Sequence, residues 1–133
     1  MEQAQNGRGS LDILISNASA LPIYEQITQQ IKDAILSGRL EEGTLLPGIR
    51  SLANELHVSV ITTKRAYADL EEAGFVTSVQ GKGTYVAGGN LEMLREEHLR
   101  SLEEQLSALI AEAKSAAVSK RELHELLDLL MDD

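Results

Sequence analysis

Residues 58–87 read VSVITTKRAYADLEEAGFVTSVQGKGTYVA, a candidate helix that leads into a candidate β-hairpin. Ser59 is well placed to cap a helix that runs through Tyr67 to Ala73, and Gly74 then ends it. Two runs rich in β-forming residues follow and flank a Gly-rich tip that carries Lys82. The stretch therefore predicts one helix followed directly by a hairpin.

Two shorter helices are predicted upstream. Pro22 opens the first, whose isoleucines follow the three-to-four spacing of one buried face until Gly38 ends it. The second covers barely two turns after a short extended piece that ends at Pro47. Further upstream, in residues 11–15, Leu11, Ile13 and Ile15 alternate with Asp12 and Leu14, which predicts a short strand.

Two more helices are predicted after Gly88-Gly89-Asn90, a composition typical of a domain boundary. The first carries a heptad-type apolar seam, and the second begins at Ser119 in a capping box with Glu122. A helix pair at the end of a small domain has little to bury against, so we expect a homodimer to cover both apolar faces. The alternative is that the tail folds back onto its own domain. The residues expected in the dimer interface are Leu99, Leu102, Leu106, Leu109, Leu123, Leu126, Leu127 and Leu130.

The chain of 133 residues suits one compact domain with an appendage. Residues 1–10 are polar and lack periodicity, so we expect a disordered extension, and the Gly-Arg-Gly-Ser within them resembles a tag remnant. Residues 11–88 hold three helices and a hairpin, which together describe a winged helix-turn-helix. Residues 91–133 form the two-helix dimerisation tail. The predicted fold class is α+β, mainly α.

Composition excludes several classes of protein. The chain has no cysteine, which rules out disulfides and thiol nucleophiles and fits a reducing cytosol. No apolar run approaches the roughly 18 residues that span a bilayer, and no signal-peptide pattern opens the chain. The three histidines lack metal-binding spacing, and no Ser/His/Asp or paired-carboxylate arrangement indicates catalysis. We therefore predict a cytoplasmic protein that is not an enzyme and has no cofactor, no metal and no membrane partner.

Taken over the whole chain, the net charge of −9 disfavours binding to nucleic acid, but the acidic and basic residues are unevenly distributed. Residues 91–133 carry 11 acidic and 5 basic side chains, whereas residues 43–90 carry four of each. Helical phase places Thr63, Ala66, Tyr67 and Leu70 on the inward side of the third helix. It places small and basic residues outward near the helix start, which suits close approach to a major groove. These outward residues are Ile61, Lys64, Arg65 and Ala68.

Five groups of residues occur in order at intervals typical of one family. They are LPIYEQI (21–27), LPGIRSLA (46–53), VS (58–59) with KRAY (64–67), LEEAGF (70–75) and GKGTYV (81–86). Together they closely resemble the DNA-binding domain of GntR-family bacterial transcription regulators, over residues 11–87. The short tail is similar to the YtrA-type branch, whose members lack a large ligand-binding domain and build a homodimer from two C-terminal helices.

The resemblance implies which residues contact DNA. Arg50 matches an arginine directed at operator guanine or phosphate, and Lys64 matches a basic contact. Ser59 and Thr62 match phosphate-binding positions at the start of the recognition helix. The resemblance places the recognition helix, about residues 60–73, in the major groove and the wing, about 79–84, in the minor groove. Helical phase adds Ile61 and Arg65. The predicted DNA-binding set is Arg50, Ser59, Ile61, Thr62, Lys64, Arg65, Gln80, Gly81 and Lys82.

Two residues depart from the family pattern. Val60 stands where many relatives have arginine, which implies fewer polar base contacts. Gly48 stands where serine is common, which weakens the cap of the second helix.

Each predicted contact also has a simpler interpretation. Arg50 could be an exposed helix-end arginine, and Lys64-Arg65 a solvated helix face. Gly81-Lys82-Gly83 could be a plain hairpin turn, and it lacks the spacing of a phosphate-binding loop.

The resemblance implies a homodimeric, sequence-specific regulator that binds a palindromic operator in double-stranded DNA. It further implies a repressor of its own operon, which in such families often encodes an ABC transporter, and leaves room for a small-molecule effector of unknown identity. The alternative function is a winged-helix protein–protein interaction module without specific DNA binding, a role that the net charge of −9 would suit.

Overall fold

A computed structural model describes residues 11–132, so the prediction of disorder for residues 1–10 lies outside the described residues. Within this range the chain forms five helices and one two-stranded antiparallel sheet. This confirms the predicted fold class, a winged helix-turn-helix followed by two helices. The elements in chain order are α1 (Ile23–Leu36), α2 (Ile49–Leu56), α3 (Val60–Glu72), β1 (Val76–Val79), β2 (Gly83–Val86), α4 (Leu91–Ser115) and α5 (Lys120–Leu130).

The first three helices pack around one aliphatic core. Ile27 and Ile31 from α1, Leu52 from α2 and Leu70 from α3 are fully buried at its centre. The hairpin closes the core with residues from both strands and from the turn before β1. The predicted inward side of α3 is confirmed, because all four of its expected core residues are buried.

The hairpin pairs β1 with β2 in a register that sets Val76 opposite Val86 and Val79 opposite Gly83. The extended piece before α2 lies along the other edge of β2. There the amide of Leu46 donates to the Thr84 carbonyl (2.8 Å), and the amide of Val86 donates to the Thr44 carbonyl (2.9 Å). The wing is thus braced on the side that leads into α2.

The strand predicted over residues 11–15 is wrong, although the alternation of burial is right: Ile13 is buried and its neighbours are exposed. Glutamine side chains of α1 supply the partners that a neighbouring strand would supply. Gln30 binds both the amide (3.0 Å) and the carbonyl (2.9 Å) of Leu14, and Gln26 does the same for Ser16 at 2.9 and 3.0 Å. Because these partners are side chains, the segment packs against the core without joining a sheet.

The described part of the chain divides into two compact units, with the boundary between Leu94 and Arg95. Leu94 is 3% exposed and belongs to the core of the first unit, which therefore reaches into the first turn of α4 and past residue 88. Asn90 fixes this turn through a 2.8 Å hydrogen bond from its side-chain amide to the carbonyl of Gly74.

The second unit contains the rest of α4 and α5. The predicted capping box is confirmed: Ser119 Oγ accepts from the Glu122 amide (3.1 Å), and the Ser119 amide donates to Glu122 Oε1 (2.9 Å). Most leucines of the predicted seam are exposed, whereas Ala113 is buried and Leu123 is half-buried.

Candidate nucleic-acid interface

The helix-turn-helix is formed by α2, a tight turn and α3. The turn is closed by His57, whose φ of 59° is left-handed, and by a hydrogen bond from the Val58 amide to the Ala53 carbonyl (3.0 Å). Only one residue, Val58, separates this left-handed position from the N-cap of α3 at Ser59. The turn therefore fixes where α3 begins relative to α2.

Arg50 lies in the first turn of α2 and is exposed, so its guanidinium is free to reach a ligand outside the domain. Gly48 occupies the N-cap, and no side chain caps this helix. This is the expected consequence of glycine at a position where serine is common. The amides of the first turn next to Arg50 are consequently not capped by a side chain, and such amides suit phosphate oxygens.

Ser59 and Thr62 form the cap of α3 and bind each other. Ser59 Oγ accepts from the Thr62 amide (3.0 Å), and its own proton goes to Thr62 Oγ1 (2.8 Å). Since the Ser59 hydroxyl has already given its one proton, the Thr62 hydroxyl is the member of the pair that retains a donor. Of the two predicted phosphate contacts, Thr62 is thus the better placed to donate.

The outward side of α3 carries Ile61, Lys64 and Arg65, all exposed as helical phase predicted. Lys64 projects from this surface close to the helix start. Arg65 lies under two constraints: its guanidinium carbon is 3.7 Å from the centre of the Tyr24 ring, and its Nε is 3.9 Å from a carboxylate oxygen of Asp69. The stack holds Arg65 against α1, so Lys64 is the less constrained cation of the pair.

Tyr24 is therefore a residue of this surface that was not predicted from the sequence. It packs partly against the core and offers its ring face to Arg65. No local pattern could have shown this, because the two residues lie on different helices and their contact depends on how α1 packs against α3.

The wing tip consists of residues 80–82, between the paired residues Val79 and Gly83. Gly81 has φ of 78°, a left-handed conformation that a side chain would strain. The turn is closed by the Lys82 amide, which donates to the Val79 carbonyl (2.9 Å). Gln80, Gly81 and Lys82 are all exposed. The tip therefore presents the charge of Lys82 beside the backbone of Gly81, which no side chain covers.

The structure brings the predicted residues onto two neighbouring elements of one domain, the helix-turn-helix and its wing. The exposed basic side chains among them are those of Arg50, Lys64 and Lys82, with Arg65 partly engaged. Between residues 11 and 132 no cluster of histidine and carboxylate side chains could hold a metal ion, and no helix is long and apolar enough to cross a membrane. The arrangement has the chemistry of a surface for a polyanion.

Comparison with known proteins agrees with this geometry. Residues 23–86 match the family described as bacterial regulatory proteins, gntR family. The HTH-type transcriptional repressor YtrA of Bacillus subtilis (strain 168) is 38% identical over 113 residues, which cover 85% of this chain and 87% of that protein.

Two solved structures extend the comparison. A transcriptional antiterminator from Listeria monocytogenes EGD-e superposes with a TM-score of 0.75 at 32% identity, covering 90% of each chain. The DNA-binding domain of AraR, solved in complex with operator ORX1, matches with a TM-score of 0.52 at 32% identity, covering 58% of this chain and 96% of that one.

The match to the Bacillus subtilis repressor is longer than the 64-residue family segment, and the Listeria structure matches 90% of this chain, whereas the AraR domain matches 58% of it. These relatives are transcription regulators and not enzymes. The chain therefore belongs to the GntR family of bacterial regulatory proteins, as a DNA-binding transcription regulator that is similar to the YtrA type.

Proposed function

We propose that the protein is a homodimeric repressor that acts in the cytoplasm and binds a palindromic operator in double-stranded DNA. In this proposal α3 enters the major groove and the wing enters the minor groove. The observation that carries the proposal is the division of the chain into a winged unit with exposed cations and a helical unit with exposed leucines.

The dimer is supported by the apolar surface of the second unit. Leu102, Leu106 and Leu109 are each about half exposed along α4. On α5, Leu126 and Leu127 are also about half exposed, and Leu130 is 78% exposed. Monomeric proteins rarely leave such an extended apolar surface in water, and burial stabilises by about 25 cal/mol per Å² of apolar area. A twofold partner would cover the same residues on both chains.

The dimer also answers the problem of charge. A single winged domain with few exposed cations, in a chain of net charge −9, binds DNA weakly. Two domains on one twofold axis read two half-sites about one helical turn, or a simple multiple of it, apart. Linking them converts the second binding event into an intramolecular one and raises the affinity without new contacts.

Repression is supported by the name of the Bacillus subtilis relative, which is a transcriptional repressor. A dimer bound across a promoter excludes RNA polymerase by occupancy, without a further domain. We extend the proposal to control of the protein's own operon, of the kind that encodes an ABC transporter, and to a small-molecule effector that favours one conformation over another.

A gel-shift titration against the DNA upstream of the protein's own gene tests the proposal. The titration includes random-sequence competitor and a series of salt concentrations. We expect a discrete complex that survives competitor, has two chains per duplex and weakens steeply as salt rises, because several phosphate contacts release counterions. If no specific DNA complex forms, and the protein instead binds another protein with an affinity that does not depend on salt, the result would favour the protein-interaction module.

A further inference from the structure

We propose that Ile61, with Val60 beside it, reads the C5-methyl group of a thymine in the operator. This inference rests on the proposed operator binding and adds the kind of base that the first turn of α3 selects.

The first observation is exposure. Ile61 is 80% exposed and Val60 is 37% exposed, in the first turn of the helix whose opposite side fills the core. Both residues are β-branched, which is slightly unfavourable in a helix, and their exposed surfaces contribute little to the stability of the domain. The two side chains thus form a small apolar knob at the N-terminal end of α3.

The second observation is what surrounds the knob. Lys64 lies one turn along the same helix and is exposed, which suits a nearby phosphate. Arg65 is held on the ring of Tyr24, and the Ser59 hydroxyl has given its proton to Thr62. The first turn therefore offers few polar groups for reading bases, and the apolar knob is its most prominent feature.

The chemistry of the major groove then limits what the knob can recognise. The N-terminal residues of a recognition helix contact base edges. Among those edges thymine alone presents an apolar group, its C5-methyl, whereas guanine, cytosine and adenine present donors and acceptors. An isoleucine that packs against a donor or acceptor of a base removes the water bound to that group and offers no hydrogen bond in exchange. The knob therefore favours thymine, both because it contacts the methyl group and because it disfavours the other bases.

The test uses DNA that differs only by the methyl group. The full chain first selects its operator from a random duplex library, and each thymine of that operator is then replaced singly by deoxyuridine, which keeps every hydrogen-bonding group. We expect one position in each half-site at which the replacement weakens binding about fourfold, the effect of one buried methyl-sized group (0.8 kcal/mol). Ile61→Ala should bind the thymine and deoxyuridine duplexes equally at that position.

Two further variants separate this reading from general effects. Leu14→Ala removes an equally exposed side chain, 80%, from outside the helix-turn-helix and should keep the fourfold preference. Lys64→Ala should weaken binding to both duplexes alike and also keep the preference. A wild-type protein that binds every deoxyuridine duplex as tightly as the parent overturns the thymine contact. A library from which no sequence is enriched overturns the proposed operator binding itself.

Discussion

The hydroxyl of Tyr67 in α3 donates a 2.7 Å hydrogen bond to the carbonyl oxygen of Pro47, just ahead of α2. Both residues are buried, and burial, with a smaller contribution from the charge of Glu55, raises the pKa of Tyr67. The phenol therefore stays neutral and remains a donor. The bond ties the recognition helix to the segment that leads into α2, so the two helices of the DNA-binding motif share one anchor.

Tyr67→Phe is the first prediction. It keeps the ring in the core and removes only the donor, leaving the Pro47 carbonyl buried without its partner. We expect the free energy of unfolding to fall by about 1–2 kcal/mol, measured by chemical denaturation. Tyr85→Phe is the matched control, because the Tyr85 hydroxyl makes an exposed 3.4 Å contact with the Lys82 carbonyl and should cost less than about 0.5 kcal/mol. Equal losses for the two variants would show that the Tyr67 bond contributes nothing special.

Arg50→Ala tests the DNA surface. Arg50 is exposed in the first turn of α2, so its loss should leave the fold and the unfolding transition intact. We expect operator binding to weaken by roughly 1–3 kcal/mol, measured by fluorescence anisotropy at fixed salt. Arg39→Ala removes the same charge from an exposed position after α1, where its Nε donates to Ser37 Oγ, and should change affinity much less. Equal affinity of Arg50→Ala and the wild type would remove Arg50 from the site.

The left-handed residue at the end of α4 supports a third prediction. Ala117 has φ of 61°, and the amides of Val118 and Ala117 close the helix end on the carbonyls of Ala113 (2.8 Å) and Lys114 (3.1 Å). A Cβ in this left-handed conformation costs about 1–2 kcal/mol, and glycine avoids that cost. Part of the gain is lost, because glycine is more flexible than alanine in the unfolded chain. We expect Ala117→Gly to stabilise the chain by about 0.5–1 kcal/mol in thermal denaturation. The neighbouring Ala116→Gly, at a residue without positive φ, should have the opposite sign; stabilisation by both changes would argue against strain at Ala117.

Much of the fold could be predicted because its signals are local. The 3.6-residue period of α3 placed its core side correctly, and the caps at Ser59 and Ser119 form as expected. Gly38 and Gly74 end their helices with φ of 87° and 88°, which is the use of glycine that the sequence indicated. Each of these features depends on residues within four or five positions of one another.

What could not be predicted depends on contacts between distant parts of the chain. The alternation over residues 11–15 indicates half-buried extended backbone, but only the packed α1 decides that Gln26 and Gln30 serve as its partners. The stack of Arg65 on Tyr24 has the same origin. His57 adopts a left-handed conformation although it is not glycine, because the turn between α2 and α3 imposes it.

The capping box of α5 supports a prediction about pH. The amide and hydroxyl of Ser119 hydrogen-bond to the Glu122 carboxylate and lower its pKa. Because the folded pKa lies below the unfolded one, the stabilisation is complete above the unfolded pKa and is lost as pH falls through the folded pKa. We expect a carboxyl-carbon NMR titration to give Glu122 a midpoint below that of an ordinary glutamate. Ser119→Ala should raise it only part of the way, since the backbone amide remains. An ordinary midpoint in the wild-type chain would contradict the box in solution.

The tail supports the last prediction. Leu106 lies in the middle of the α4 seam and is 54% exposed in the single chain. A glutamate there would carry an unpaired charge into the proposed apolar interface, where its desolvation exceeds any gain from packing. We expect Leu106→Glu to be monomeric in sedimentation velocity and to bind the operator at least a hundredfold more weakly, because linkage between the two half-sites is lost. Ser107→Glu adds the same charge at an exposed position outside the seam and should remain dimeric. A dimer that survives Leu106→Glu would contradict the proposed interface on the helical tail.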